Sequence, residues 1–133
     1  MPSAQGNFSV KPRTDVPAQP LPDIGRTLLD KQWSGDLTGH SSVEMLSFMT
    51  SVPGSAAYVA LEVVQATLHG RQGRFAFYRL GLSERGHQSL TYGVVPDSGT
   101  HELTGLSGQL DLKIVDGAHQ YTFSYALPEA QED

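Results

Sequence analysis

The sequence predicts an all-β protein of about eight antiparallel strands, closed into a barrel or stacked as a sandwich. Three observations predict it. Apolar and polar residues alternate with period two along most of the chain, and turn-forming clusters separate these runs. No segment is apolar at helical spacing over three turns.

Each element follows from local chemistry. Gly6 to Val10 alternates weakly and is a short first strand. Lys11 to Asp23 carries Pro12, Pro17, Pro20 and Pro22, which excludes a central strand or a helix interior and leaves a crossing loop. Ile24 to Ser34 is the second strand, with Thr27, Leu29, Lys31 and Trp33 on one face. Gly35 to Gly39 turns the chain, and Ser41 to Ser51 is the third strand. Val52-Pro53-Gly54-Ser55 is a turn with proline and glycine in type II positions. Strands four and five form the hairpin Ala57 to Gly81. After a turn over Leu82 to Gly86, His87 to Val95 is the sixth strand, ended by Pro96 to Thr100. Glu102 to Gly108 is glycine-punctuated. Gln109 to Val115 and His119 to Leu127, joined by Asp116-Gly117, alternate cleanly as strands seven and eight. Residues 1–5 and the acidic tail 128–133 are expected to fray. The whole chain, 133 residues, reads as one domain.

The central hairpin carries the chemistry. A two-residue loop at Arg71-Gln72, between Gly70 and Gly73, sets Leu68 opposite Phe75, Ala66 opposite Phe77 and Val64 opposite Arg79. Alternation then puts Tyr58, Ala60, Glu62, Val64, Ala66, Leu68, Phe75, Phe77 and Arg79 on one face, read as the interior. Glu62 and Arg79 are diagonal neighbours there, roughly 7–8 Å apart at the backbone. A carboxylate and a guanidinium on an apolar face are costly unless paired or wet. The other face, with Val59, Leu61, Val63 and Leu80, leaves apolar area exposed on a monomer. It predicts a homo-oligomer, a dimer or higher.

Composition narrows the function classes. Fourteen acidic against nine basic residues give a net charge of −5, which argues against a nucleic-acid footprint. The absence of cysteine excludes disulfides and thiolate chemistry. No apolar run approaches a membrane span, and the N-terminal residues lack a signal pattern, so a cytoplasmic protein is expected. His40, His69, His87, His101 and His119 show no metal-ligand spacing. There is no Gly-x-Ser-x-Gly elbow and no phosphate loop. Serine hydrolase, zinc enzyme and nucleotide binder are therefore rejected, and no cofactor or metal is expected.

The candidate site is built on Glu62 and Arg79. Glu62 would act as acid, base or ligand anchor, its ionisation set by burial and by Arg79 or Lys31. Arg79 would bind a carboxylate or stabilise developing negative charge. Lys31 shares a face with Leu29 and Trp33 and could complete a triad. Tyr58, Tyr92, Tyr121 and Tyr125, with Phe77, could line a small-ligand cavity. Two functional readings follow, a binder of a small apolar ligand with one polar or anionic group and a cofactor-free enzyme. A structural oligomer with a filled barrel is the third.

Several words of the sequence resemble one bacterial family, domain of unknown function 3224. They are Trp33-Ser-Gly-Asp-Leu37, Tyr58-Val-Ala-Leu-Glu62, Thr67-Leu-His-Gly-Arg-Gln-Gly73, Val94-Val-Pro-Asp-Ser-Gly-Thr100, Glu102-Leu-Thr-Gly-Leu-Ser-Gly108, and His119-Gln-Tyr121 with Tyr125. They cover most of the chain from Gly25 onward in the family's order and spacing. The resemblance implies an antiparallel barrel of the allene oxide cyclase-like type, and it makes an isomerase or cyclase the form the enzyme reading takes. It implies no agreed activity. Arg79 stands where the family often has histidine, Asp97 and His101 replace common glycines, and Ser124 stands where aspartate is frequent. A guanidinium stays protonated and cannot be a base at neutral pH.

Overall fold

Period-two alternation becomes a closed wall. The structure, a computed structural model, describes residues 2–12 and 23–128. Its strands are β1 (Ser3–Pro12), β2 (Gly25–Gly35), β3 (Leu37–Met49), β4 (Ala56–Leu68), β5 (Arg71–Glu84), β6 (His87–Val94), β7 (Ser107–Val115) and β8 (Ala118–Ala126). They run in sequence order around one antiparallel barrel, in which β8 returns to β1. Of the two all-β architectures open to the sequence, the barrel is the one formed.

Closure is uneven. β1 pairs with β8 from Ser3–Ser124 to Phe8–His119, whereas β6 meets β7 only at Gly93–Gln109. The interval between them is filled by residues 95–106, with a single 3-10 turn at His101–Leu103. This segment completes the edge of β5 beyond the end of β6. Val95 N–H donates to the Ala76 carbonyl (2.8 Å) and Thr100 N–H to the Arg74 carbonyl (2.8 Å). In return, Ala76 N–H donates to Ser98 Oγ (3.0 Å), Arg74 N–H to Thr100 Oγ1 (3.1 Å) and Gln72 N–H to Glu102 Oε1 (3.0 Å). Pro96-Asp97-Ser98-Gly99-Thr100 is thus an edge cap. Gly99 is required by close approach, since a Cβ there would lie 1.9 Å from the Leu103 carbonyl oxygen. Replacing Ser98 by alanine strands the Ala76 N–H, so unfolding free energy should fall by about 1–2 kcal/mol in urea titrations. An unchanged midpoint would refute the cap.

Inward side chains fill the half of the barrel next to this plug. Leu37, Leu68, Phe75, Leu103, Leu106 and Phe123 are fully or almost fully buried. Phe77 packs edge-on against Phe75 (4.9 Å between centroids) and Phe123 (5.4 Å). Each such pair adds about 0.5–1.5 kcal/mol beyond the area it buries.

Three expectations are corrected. The central hairpin turns at His69-Gly70, not Arg71-Gln72. A two-residue type I′ turn needs positive φ at both positions, and His69 (47°) and Gly70 (81°) supply it. Leu68 therefore pairs with Arg71, Glu62 with Phe77 and Ala60 with Arg79, a slip of four residues along β5. The slip is even, so every side chain keeps its face. Second, β1 begins at Ser3 and continues through Lys11 and Pro12, which pair with Asp30 and Leu29. Residues 3–5 are thus laddered against β8, not frayed, and proline is tolerated as the last residue of a strand. Third, β3 begins at Leu37 and β7 at Ser107, so the turns before them are shorter than expected. The rest of the proline-rich loop, residues 13–22, and the tail 129–133 lie outside the described residues.

Candidate functional site

The other half of the interior is ionic. Glu62, on β4, is completely buried (0% exposed), and Lys31, on β2, is 2% exposed. Lys31 Nζ lies 3.2 Å from Glu62 Oε1. The same oxygen accepts the Tyr92 hydroxyl at 2.6 Å, and Tyr92 also accepts from Lys31 at 3.1 Å. Ser41, on β3, donates to Glu62 Oε2 at 2.6 Å and accepts from the Trp33 indole N–H at 2.9 Å. Glu62 is thus held by three donors from three other strands. Its neighbour along the strand, Val64, packs in the apolar half, so the polar cluster rests on a hydrophobic floor.

Aromatic rings surround the lysine. Its Nζ is 4.3 Å from the Phe8 ring centroid, 5.4 Å from Tyr92 and 5.6 Å from Trp33. Burial lowers the Lys31 pKa to about 8. The Glu62 charge and hydrogen bond oppose this, and the nearby Arg79 charge adds to it. Burial, reinforced by the Glu62 charge, holds the Tyr92 hydroxyl well above its ordinary value of 10.0, so it remains a proton donor at neutral pH.

Arg79 stands farther from the plug, opposite Ala60 and Tyr92. Its guanidinium donates to the Tyr58 hydroxyl (3.2 Å) and stacks between the rings of Tyr58 (5.3 Å) and Tyr92 (4.9 Å). Its Nε is buried without a hydrogen-bond partner. Among the described residues no carboxylate pairs with it, since Glu62 is taken by Lys31 and Glu44 by Arg26. Tyr58 lies flat over Gly81, where a Cβ would come within 2.0 Å of the ring. Beyond Tyr58 is a mainly apolar pocket of about 270 Å³, lined by Met45, Ser47, Tyr58, Gly81, Gln88 and Leu90 among others.

Of the residues singled out in the sequence, Glu62, Lys31, Tyr92, Arg79 and Tyr58 come together, and Phe77 forms the floor by packing edge-on against Tyr92 at 5.0 Å. Tyr121 and Tyr125 do not join them. The Tyr121 hydroxyl bridges Leu37 N–H (3.0 Å) and the Ser34 carbonyl (3.0 Å). That of Tyr125 meets His69 Nδ1 at 2.5 Å. Both tyrosines sit toward the plugged end. Ser41 was not singled out. The signal was available, because it shares the parity of Val43 and lies opposite Lys31 across the β2–β3 ladder. Among the described residues no group of three His, Asp or Glu side chains could hold a metal ion. No helix there is long and apolar enough to cross a membrane.

Fold and site together define a small, closed, antiparallel β-barrel whose interior is aromatic at one end and ionic at the other. Comparison with known proteins places it more narrowly. The profile of DUF3224, described as a protein of unknown function, matches residues 4–125, and the chain belongs to that family. It is similar to a solved structure, that of a DUF3224 protein of unknown function from Shewanella oneidensis MR-1. That chain is 42% identical, with a TM-score of 0.87, over 98% of this chain and 99% of the other. No curated protein matches.

Proposed function

We propose that the protein binds a small, largely apolar molecule through a carboxylate or similar anionic group at the Arg79 end of the barrel. One observation carries this reading. Among the described residues the interior holds two cations, Lys31 and Arg79, and one carboxylate, Glu62, and the charge without a carboxylate partner is the one hydrogen-bonded to Tyr58, which lines the pocket. A half-buried guanidinium with no carboxylate partner is suited to a planar anion, which would repay its desolvation. Met45, Leu90 and the ring of Tyr58 would take the apolar part. The isomerase or cyclase reading has less support, because Glu62 is enclosed and already accepts three hydrogen bonds.

Trp33 is the sole tryptophan and lies next to the cluster, so its fluorescence can report occupancy. Titration with hexanoate and benzoate, against hexanamide and benzamide, should show binding of the acids only. Arg79→Gln should weaken it by about a hundredfold. Above pH 8 Lys31 loses its proton and the interior loses its surplus charge. Affinity should then fall on the order of tenfold between pH 7 and 9.5. Equal binding of acids and amides, or binding indifferent to Arg79, would overturn the proposal.

A further inference from the structure

We infer that the outer face of β3, β4 and β5 is the contact surface of a homodimer. Outward side chains of three adjacent strands make it: Leu46 and Phe48, then Val59, Leu61 and Val63, then Tyr78, Leu80 and Leu82. All eight are exposed, with Leu61 at the centre 62% exposed and Val59 49%. The register makes them one patch, since Leu46 pairs with Val59, Val59 with Leu80, and Leu61 with Tyr78.

Area argues for an occupant. With roughly 180 Å² for a large side chain, these eight expose about 650 Å² of apolar surface. The largest patch on a typical monomer is about 300–600 Å², and a standard interface buries about 800 Å² on each partner. The face thus exceeds the patch of a typical monomer and comes near the area that a standard interface buries on each partner.

Charge and shape indicate which occupant. Outward positions from Ala57 to Val63 on β4, and from Ala76 to Leu82 on β5, carry no ionisable group except the Tyr78 phenol. The charge on this face is confined to its β3 side, where Glu44 borders the groove and is paired with Arg26. A groove of about 650 Å³ runs between Leu46, Val59 and Leu61 on one side and Tyr78 and Leu80 on the other. Ridges of the same leucine and valine side chains flank it, so an identical face supplies matching apolar ridges. At the rim, Arg26 and Glu44 pair with each other (2.8 Å), which gives each copy both signs of charge. An isologous contact needs this self-complementarity.

The full-length chain tests it by sedimentation equilibrium at micromolar concentration. Wild type should run at twice the 14.4 kDa chain mass. Leu61→Asp should raise the dimer dissociation constant by about a hundredfold or more. Leu80→Lys should do the same from the neighbouring strand, which covers the case in which Leu61→Asp fails to fold. Ile114→Asp, at an exposed apolar residue of β7 away from the face, should leave the mass unchanged. A monomeric wild type overturns the inference, as does a dimer that survives both substitutions. A monomer that binds phosphatidylcholine vesicles through Leu61 would also overturn it, assigning the face to lipid.

Discussion

Replacing Glu62 by glutamine will lower the unfolding free energy by about 3–5 kcal/mol, because it leaves a buried ammonium without its counter-charge. Lys31 and Glu62 face each other at 3.2 Å with almost no access to water. Serine 41 and Tyr92 can still bond to an amide, but neither neutralises the lysine. The loss should shrink at pH 10, where Lys31 is deprotonated and needs no partner. It should also be rescued. Lys31→Met with Glu62→Leu replaces the ion pair by apolar groups of similar volume, and such exchanges are often neutral or stabilising. The double variant is expected within about 1–2 kcal/mol of wild type in urea titrations. If the double variant instead loses the sum of the two single changes, the two charges are not an energetic unit.

Stability should rise as the pH is taken from 8 to 10, against the usual alkaline decline. In the unfolded chain Lys31 keeps its proton up to about 10.5, but in the barrel only up to about 8. Between these values the unfolded state binds more protons, so deprotonation favours the fold. The penalty is full below pH 8 and gone above 10.5, a difference of about 3 kcal/mol. Tyr92 acts in the opposite sense. Burial, then the Glu62 charge, raises its pKa, so it stabilises below 10 and that contribution is lost as the pH climbs further. Burial acts similarly on Tyr121 and Tyr125. Thermal melts should therefore show a maximum near pH 10. Lys31→Met should abolish the ascending limb, and a wild-type profile that falls steadily from pH 8 would contradict the shift assigned to Lys31.

Parity made much of this architecture legible. Side chains of β4 and β5 alternate so regularly that the interior set, including Glu62 and Arg79, survives a four-residue slip. The pair is even diagonal in both registers, since Glu62 stands opposite Phe77 and Arg79 opposite Ala60. Turn chemistry was less legible. His69 accepts a left-handed backbone where glycine is the ordinary choice. Its ring is held by Tyr125 and lies 3.5 Å from Asp36, neither of them near it in sequence. The partner of Glu62 was legible only as one of two candidates, Arg79 or Lys31. Hairpin pairing can rank Arg79 as its neighbour, but only closure of the wall brings Lys31 and Tyr92 across to it. Closure also decides which inward tyrosines share a level. Tyr92 falls beside the charges, while Tyr121 and Tyr125, of equally clear parity, are staggered toward the plug.

The uneven closure has a mechanical consequence. With a single bridge joining β6 to β7, the wall is less a ring than a rolled ribbon whose edges meet at β6 and β7, and the β1–β8 ladder joins the C-terminal hairpin to the rest. The first strand is the latch. Lift it, and the C-terminal hairpin, which carries Tyr121, Phe123 and Tyr125 into the core, stays tethered by one rung and the plug. The integrity of the ionic chamber therefore depends on ten residues that contribute only the Phe8 ring to it.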